Sequence, residues 1–179
     1  MDKTFCIFGD SVTQAAYVKN GWVDLLRGFL EEKYDDVFIN VFNLGVGGNT
    51  TQDVLNRFVA EATSRNLTDI IFAVGVNDSA VETKEKFAAN IEMLIGLASK
   101  ITSKITFVGL VQGEGNSEDR IYVRKKVARY NSLLKGITED SRCRFIELFN
   151  VLDFSDFSDG LHPNDQGHLK MFEVIKKWF

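Results

Sequence analysis

Residues 4–12 read Thr4-Phe5-Cys6-Ile7-Phe8-Gly9-Asp10-Ser11-Val12. The run from Thr4 to Phe8 is almost unbroken in apolar character, and Gly9 ends it. A strand with one wet face alternates apolar and polar residues; a strand covered on both faces reads as a continuous apolar run. The stretch therefore predicts a parallel strand held between helices, followed by a turn that carries an acid and a hydroxyl. Outward from it, Val37–Phe42, Asp69–Val74, Lys104–Val111 and Cys143–Leu148 have the same Val/Ile/Phe-rich character. Five strands of this kind predict a mainly parallel sheet.

The intervening stretches carry helical periodicity. Gly21–Tyr34 places Trp22, Leu25, Leu26, Phe29 and Leu30 on one face, and Thr51–Ser64 does so with Val54, Leu55, Phe58, Val59 and Ala62. Thr50, three residues before Asp53, has the spacing of a capping box for that second helix. Phe87, Ile91, Leu94, Ile95 and Ala98 mark a third helix. Val123, Val127, Tyr130, Leu133 and Leu134 mark a fourth, and Leu169, Phe172, Ile175 and Lys176 a last one. These stripes are read as core packing. Regular strand–helix alternation, with Pro163 the single proline, predicts a three-layer α/β/α sandwich with right-handed crossovers. In such sheets ligands bind beyond the carboxyl ends of the strands. The informative loops are those that follow each strand.

Bulk composition excludes several other classes. The chain has 179 residues, 45% hydrophobic and 26% charged, which suits one globular domain spanning 1–179. A net charge of -4 gives no electrostatic footprint for nucleic acid or an anionic membrane. No apolar run approaches the ~20 residues of a membrane span. The apolar run after Met1-Asp2-Lys3 is too short for a secretory signal, so the cytoplasm is the expected compartment. Cys6 and Cys143 make no disulfide framework and are expected to be buried thiols in strands.

Four of the loops carry unusual residues. Gly9-Asp10-Ser11-Val12 allows a tight turn that presents a hydroxyl together with its own backbone N–H, although Asp and Ser also serve as ordinary caps. Asn43-Leu44-Gly45-Val46-Gly47-Gly48-Asn49-Thr50 has three glycines in four positions, so backbone N–H groups can approach a ligand. It lacks the third glycine of a dinucleotide fingerprint and the Gly-Lys-Ser/Thr of a P-loop. Gly75-Val76-Asn77-Asp78 offers a side-chain amide that can donate to a developing oxyanion. Phe149–Asp165 is long for a compact domain, and it contains Asp159-Gly160-Leu161-His162-Pro163-Asn164. Asp153, Asp156 and Asp159 recur every three residues; calcium loops of the EF-hand type space their first ligands by two, and no Cys/His cluster fits zinc. No metal and no organic cofactor is expected. One fold brings all four loops to one edge of the sheet. Together they supply a nucleophile, Ser11, and a base with its orienting acid, His162 and Asp159. Backbone and amide donors complete the parts of an acyl-transfer site.

The four segments resemble the sequence blocks of the GDSL, or SGNH, hydrolase family, in family order over residues 5 to 168. Val12 stands where the family usually has Leu. The resemblance implies a flavodoxin-like α/β/α fold and hydrolysis of acyl esters without cofactor. It implies Ser11 as nucleophile, Asp159 and His162 as its partners, and an oxyanion hole from the Ser11 N–H, the Gly48 N–H and the Asn77 side chain, with Gly45 or Gly47 as alternatives to Gly48. The order Ser, Asp, His is shared with α/β-hydrolases, but no Gly-x-Ser-x-Gly elbow occurs. The expected substrates are small soluble esters, since no insertion is large enough for a hydrophobic lid. Acetylated carbohydrate is one alternative, and a lysophospholipid or thioester another. The non-hydrolase rival is a flavin- or nucleotide-binding module on the same architecture, which would leave Asp159, His162 and Asn77 without work. Gln112–Asp119, after the fourth strand, is expected to line one side of the site. His168, the second histidine, reads as a packing or helix-surface residue.

Overall fold

The computed structural model describes residues 2–112 and 124–179. Strands β1 (Lys3–Gly9), β2 (Ile39–Gly45), β3 (Asp69–Ala73), β4 (Ile105–Val108) and β5 (Arg144–Ile146) form one sheet in the order β2-β1-β3-β4-β5. Every pairing in it is parallel. The chain leaves β1 for β2 on one side and returns to β3 on the other. That reversal opens a crevice beyond the carboxyl ends of β1 and β3.

The helices are α1 (Ser11–Gln14), α2 (Trp22–Lys33), α3 (Thr51–Thr63), α4 (Asp78–Val81), α5 (Lys84–Ala98), α6 (Arg124–Asp140) and α7 (Asp165–Ile175). Side chains alternate across a strand, and β1 shows the consequence. Phe5 and Ile7 pack with Trp22, Leu26 and Leu30 of α2 and with Met171 and Ile175 of α7. Cys6 and Phe8 pack with residues of α3, α5 and α6 on the opposite face. This is the expected three-layer sandwich. On the second face Phe72 and Phe107 stack with centroids 4.9 Å apart, and Phe8 and Phe58 tilt together at 5.1 Å. Each ring buried in this way contributes roughly 1.5–3 kcal/mol.

Three local expectations change. The apolar run Lys104–Val111 outlasts its strand, because the ladder ends at Val108 and the Leu110 N–H turns to Asn131 Oδ1 of α6 at 2.8 Å. Cys143–Leu148 is likewise trimmed to Arg144–Ile146. Cys6 is wholly buried, and burial pushes its thiol up to about 11, but Cys143 lies next to the edge strand and is only half-buried. The helix starts follow their caps: Thr50 accepts from the Asp53 N–H, and Asp53 Oδ2 accepts from the Thr50 N–H at 2.8 Å. Among the described residues no helix is long and apolar enough to cross a membrane. Val123 and most of Gln112–Asp119 lie outside the described residues.

Candidate active site

The Ser11 turn is built by close approach. A side chain at Gly9 would have its Cβ 2.0 Å from Thr13 Oγ1 and 2.7 Å from the Ala73 carbonyl, so only glycine lets α1 fold back over the end of β1. Asp10 caps that single turn, its Oδ1 accepting the Val12 N–H at 3.0 Å. Burial pushes the Asp10 carboxyl up to about 7, helped by the charge of Asp78 and opposed by the Val12 N–H. Ser11 follows as the first residue of α1 and is 9% exposed. At that position its N–H has no acceptor inside the helix.

The loop after β5 brings Asp159 and His162 to this hydroxyl. His162 Nε2 lies 2.9 Å from Ser11 Oγ, across 151 residues of chain, and His162 Nδ1 lies 2.7 Å from Asp159 Oδ2. Gly160 takes φ +87°, which lets Asp159 Oδ1 accept the N–H groups of Leu161 at 3.0 Å and His162 at 2.8 Å. Desolvation would raise the Asp159 pKa; the hydrogen bonds from His162 and Leu161 outweigh it and hold the carboxyl below its ordinary value. A carboxylate at Nδ1 requires the proton there, so the Nε2 lone pair faces Ser11.

This loop is pinned from beneath. Ser158 N–H donates to the His162 carbonyl at 2.8 Å, and Asn164 N–H donates to the Asp156 carbonyl at 2.8 Å. Asp156 Oδ2 accepts the Asp153 N–H and the Lys170 ammonium, each at 2.7 Å. Asn164 Oδ1 caps α7 through the Gly167 N–H at 3.1 Å. The carboxylates that recur every three residues thus divide their work: Asp153 and Asp156 pair with Lys170, and Asp159 with His162. Among the described residues no three His, Cys, Asp or Glu gather as a metal site.

The glycine loop after β2 wraps α1. Asn43 Nδ2 donates to the Thr13 carbonyl at 2.9 Å, and its Oδ1 accepts the Gly45 N–H at 3.0 Å. A Cβ on Gly45 would stand 2.3 Å from the Gln14 nitrogen. The Gly47 N–H donates to Gln14 Oε1 at 2.8 Å. Gly48 has φ +79°, and among the described residues its N–H has no acceptor. Of the three glycines weighed from the sequence, Gly45 and Gly47 thus have their N–H groups engaged.

Asn77, 7% exposed, directly precedes α4, and its Nδ2 donates to the Asn49 carbonyl at 3.0 Å. Next to it, Asp78 is wholly buried and accepts both the N–H and the hydroxyl of Thr51. Desolvation raises its pKa against those bonds. Asn90 Nδ2 donates to the same Thr51 hydroxyl at 3.0 Å. Sequence reasoning passed over Gln14, Thr51 and Asn90; only Gln14 left a local trace, as a polar residue one helical turn after Ser11. It also passed over Tyr17, whose ring is 75% exposed and meets His162 edge-on at 5.1 Å between centroids.

Residues 7–170 match the family model described as the GDSL-like Lipase/Acylhydrolase family. The chain belongs to that family. As a GDSL-like acylhydrolase it is an ester-hydrolysing enzyme, and the flavin- or nucleotide-binding alternative is set aside. Among relatives of this GDSL-like enzyme is an acetylxylan esterase of Geobacillus stearothermophilus, 24% identical, with 90% of this chain and 86% of the relative covered. Another is the human isoamyl acetate-hydrolyzing esterase 1 homolog, 25% identical over 94% of this chain and 78% of the relative. The crystal structure of the G. stearothermophilus acetylxylan esterase superposes with a TM-score of 0.85 at 20% identity, covering 98% of this chain and 93% of that one. Variants of that enzyme described as catalytic mutants replace a serine, an aspartate or a histidine by alanine.

Proposed function

We propose that this esterase removes small acyl groups, acetyl foremost, from carbohydrate-like alcohols by a Ser11–His162–Asp159 mechanism. The observation that carries the reading is the unbroken relay from Asp159 Oδ2 to His162 Nδ1 at 2.7 Å and from His162 Nε2 to Ser11 Oγ at 2.9 Å. His162 accepts the Ser11 proton as Oγ attacks the acyl carbonyl, while Asp159 holds the imidazole and stabilises its cation. The Ser11 N–H, the Gly48 N–H and the Asn77 amide stabilise the tetrahedral oxyanion. His162 then protonates the departing alkoxide, leaving an acyl-serine. Water, deprotonated by the same imidazole, releases the acid and restores Ser11.

Two observations support the substrate class. Two relatives are named as an acetylxylan esterase and as a homolog of an isoamyl acetate-hydrolyzing esterase, and both names refer to acetate esters. The departing alcohol must lie on the His162 side, and there the exposed Tyr17 ring gives a sugar ring an apolar face beside a hydroxyl. The test is a fluorophosphonate label with peptide mapping, run beside a hydrolysis panel of acyl chain lengths and acetylated xylo-oligosaccharides. The expected adduct is on Ser11, with acetyl esters turned over fastest. An adduct on another serine refutes the nucleophile, and a preference for long acyl chains refutes the substrate class.

A further inference from the structure

Arg57, on α3, takes no part in the chemistry described above, yet its guanidinium reaches the segments that carry Ser11 and Gly48 and the residue, Asn49, to which Asn77 is bonded. Nη2 donates to the Leu44 carbonyl at 2.7 Å and the Gly9 carbonyl at 3.2 Å, at the adjoining ends of β2 and β1. Nε donates to Asn49 Oδ1 at 2.9 Å, and Nη1 pairs with Glu61 at 2.9 Å. The side chain is 18% exposed and lies over the Phe8 ring. Ser11 follows Gly9 by two residues, and Gly48 directly precedes Asn49. Asn77 is oriented through the carbonyl of that same Asn49, at 3.0 Å.

We infer that Arg57 is a positioning residue for the oxyanion hole, clamping the Ser11 turn, the Gly48 loop and, through Asn49, the Asn77 amide into one rigid unit. The β1–β2 ladder ends at Gly9 and Gly45, so the segments beyond it need another tie. The Val46 N–H to the Gly9 carbonyl at 3.1 Å supplies one, Asn43 and Gln14 tie the glycine loop to α1, and among the described residues Arg57 alone joins Gly9 and Leu44 to Asn49. A planar fork with five donors can span two strand ends and a side-chain amide at once; a lysine ammonium is a compact point donor and cannot match that geometry. Oxyanion stabilisation depends on donors that need no reorganisation as charge develops. A misplacement of about 1 Å costs about 10²-fold in rate.

The inference rests on the assignment of Gly48 and Asn77 as oxyanion donors, and the experiment separates the two. Arg57→Ala, Arg57→Gln, Arg57→Lys, Asn77→Ala and the Arg57→Ala/Asn77→Ala double variant are assayed with an aryl acetate. Each is also titrated with methylboronic acid, which mimics the tetrahedral adduct of an acetyl group on Ser11. Arg57→Ala is expected to lose about 10²-fold in kcat with KM within about threefold. Boronate affinity should fall in parallel. Lysine should recover part of both, as should millimolar guanidinium ion added to the alanine variant. The double variant should be little worse than the worse single, because the two residues serve one unit. Should Arg57→Ala fail to fold, the Gln and Lys variants give the same kcat and boronate readings. Losses that multiply in the double variant overturn the inference, as does a lowered melting temperature with kcat and boronate affinity intact. If Asn77→Ala keeps full kcat, the oxyanion reading fails and this inference with it. If Asn77→Ala is impaired and Arg57→Ala is not, the inference alone fails.

Discussion

The two histidines of this chain stand six residues apart and live in opposite surroundings. His162 sits in the loop after β5, with Asp159 on one ring nitrogen and Ser11 on the other. His168 lies in α7 with no exposed surface, and its Nδ1 accepts the Trp22 N–H at 3.2 Å. The carboxylate beside His162 requires a proton on Nδ1; the N–H beside His168 requires a lone pair there, so its proton sits on Nε2. The tautomers are opposite because the partners are. Burial also pushes the His168 pKa down to about 4, against the nearby charges of Asp165 and Asp24. The same side chain thus bridges a carboxylate and a hydroxyl in one place and is a neutral packing element in the other. The difference comes from what each ring touches.

The most direct way to break this contrast is to exchange the losses. His162→Ala is expected to lower kcat by ~10⁴ or more, because removal of a base from such a unit is nearly as damaging as removal of the whole unit. His168→Asn, which keeps an acceptor for the Trp22 N–H, should stay within a few fold of wild type when assayed well below its melting temperature. Steady-state kinetics on an aryl acetate reads both, and the reverse pattern would make His168 the base.

A second measurement sharpens the His162 side. Asp159→Asn keeps the size of the group but can no longer stabilise an imidazolium, so a fall of ~10³–10⁴ in kcat is expected. Combined with His162→Ala it should add little. A double variant in which the two losses multiply would mean that Asp159 acts apart from His162.

The smallest effect is read in stability and belongs to His168. An unfolded histidine protonates near 6.5, the folded one near 4. The unfolded state therefore binds more protons between those values, and folding stability drops as pH falls through the window, by up to about 3 kcal/mol at its lower end. Asp10 tilts the other way: with its folded pKa raised to about 7, the folded state holds the extra proton, and its contribution fades as pH rises from about 4 to about 7. The signal is therefore the difference between urea midpoints of wild type and His168→Asn across pH 7 to 4. That difference should shift in favour of the variant as pH falls. A constant difference would show that His168 does not carry the titration.

The chain's local chemistry already carried much of this. Five continuous apolar runs, separated by amphipathic ones, are enough to require a sheet covered on both faces, because each run has no polar side to give to water. Gly9, Gly160 and the glycines after β2 announce tight turns because backbone conformation is a local property. The Asp159–His162 spacing of three is likewise local: one turn through Gly160 closes the contact.

What the sequence by itself determined, then, was the layered fold, the four loops at one sheet edge, and the residue types able to act as nucleophile, base, acid and amide donor. Tertiary structure alone decided the matters that depend on distance across the chain. It occupied the N–H groups of Gly45 and Gly47 and left that of Gly48 without an acceptor among the described residues. It turned the Leu110 N–H away from the sheet to Asn131 just past the end of β4, kept Cys143 only half-buried, and buried His168 completely. It also joined Arg57 to Gly9, 48 residues away, and Thr51 to Asp78, 27 away. A pattern of residue types records which groups want partners. Only the packed chain, in which every buried donor and acceptor competes for the same few neighbours, decides which partner each one finds.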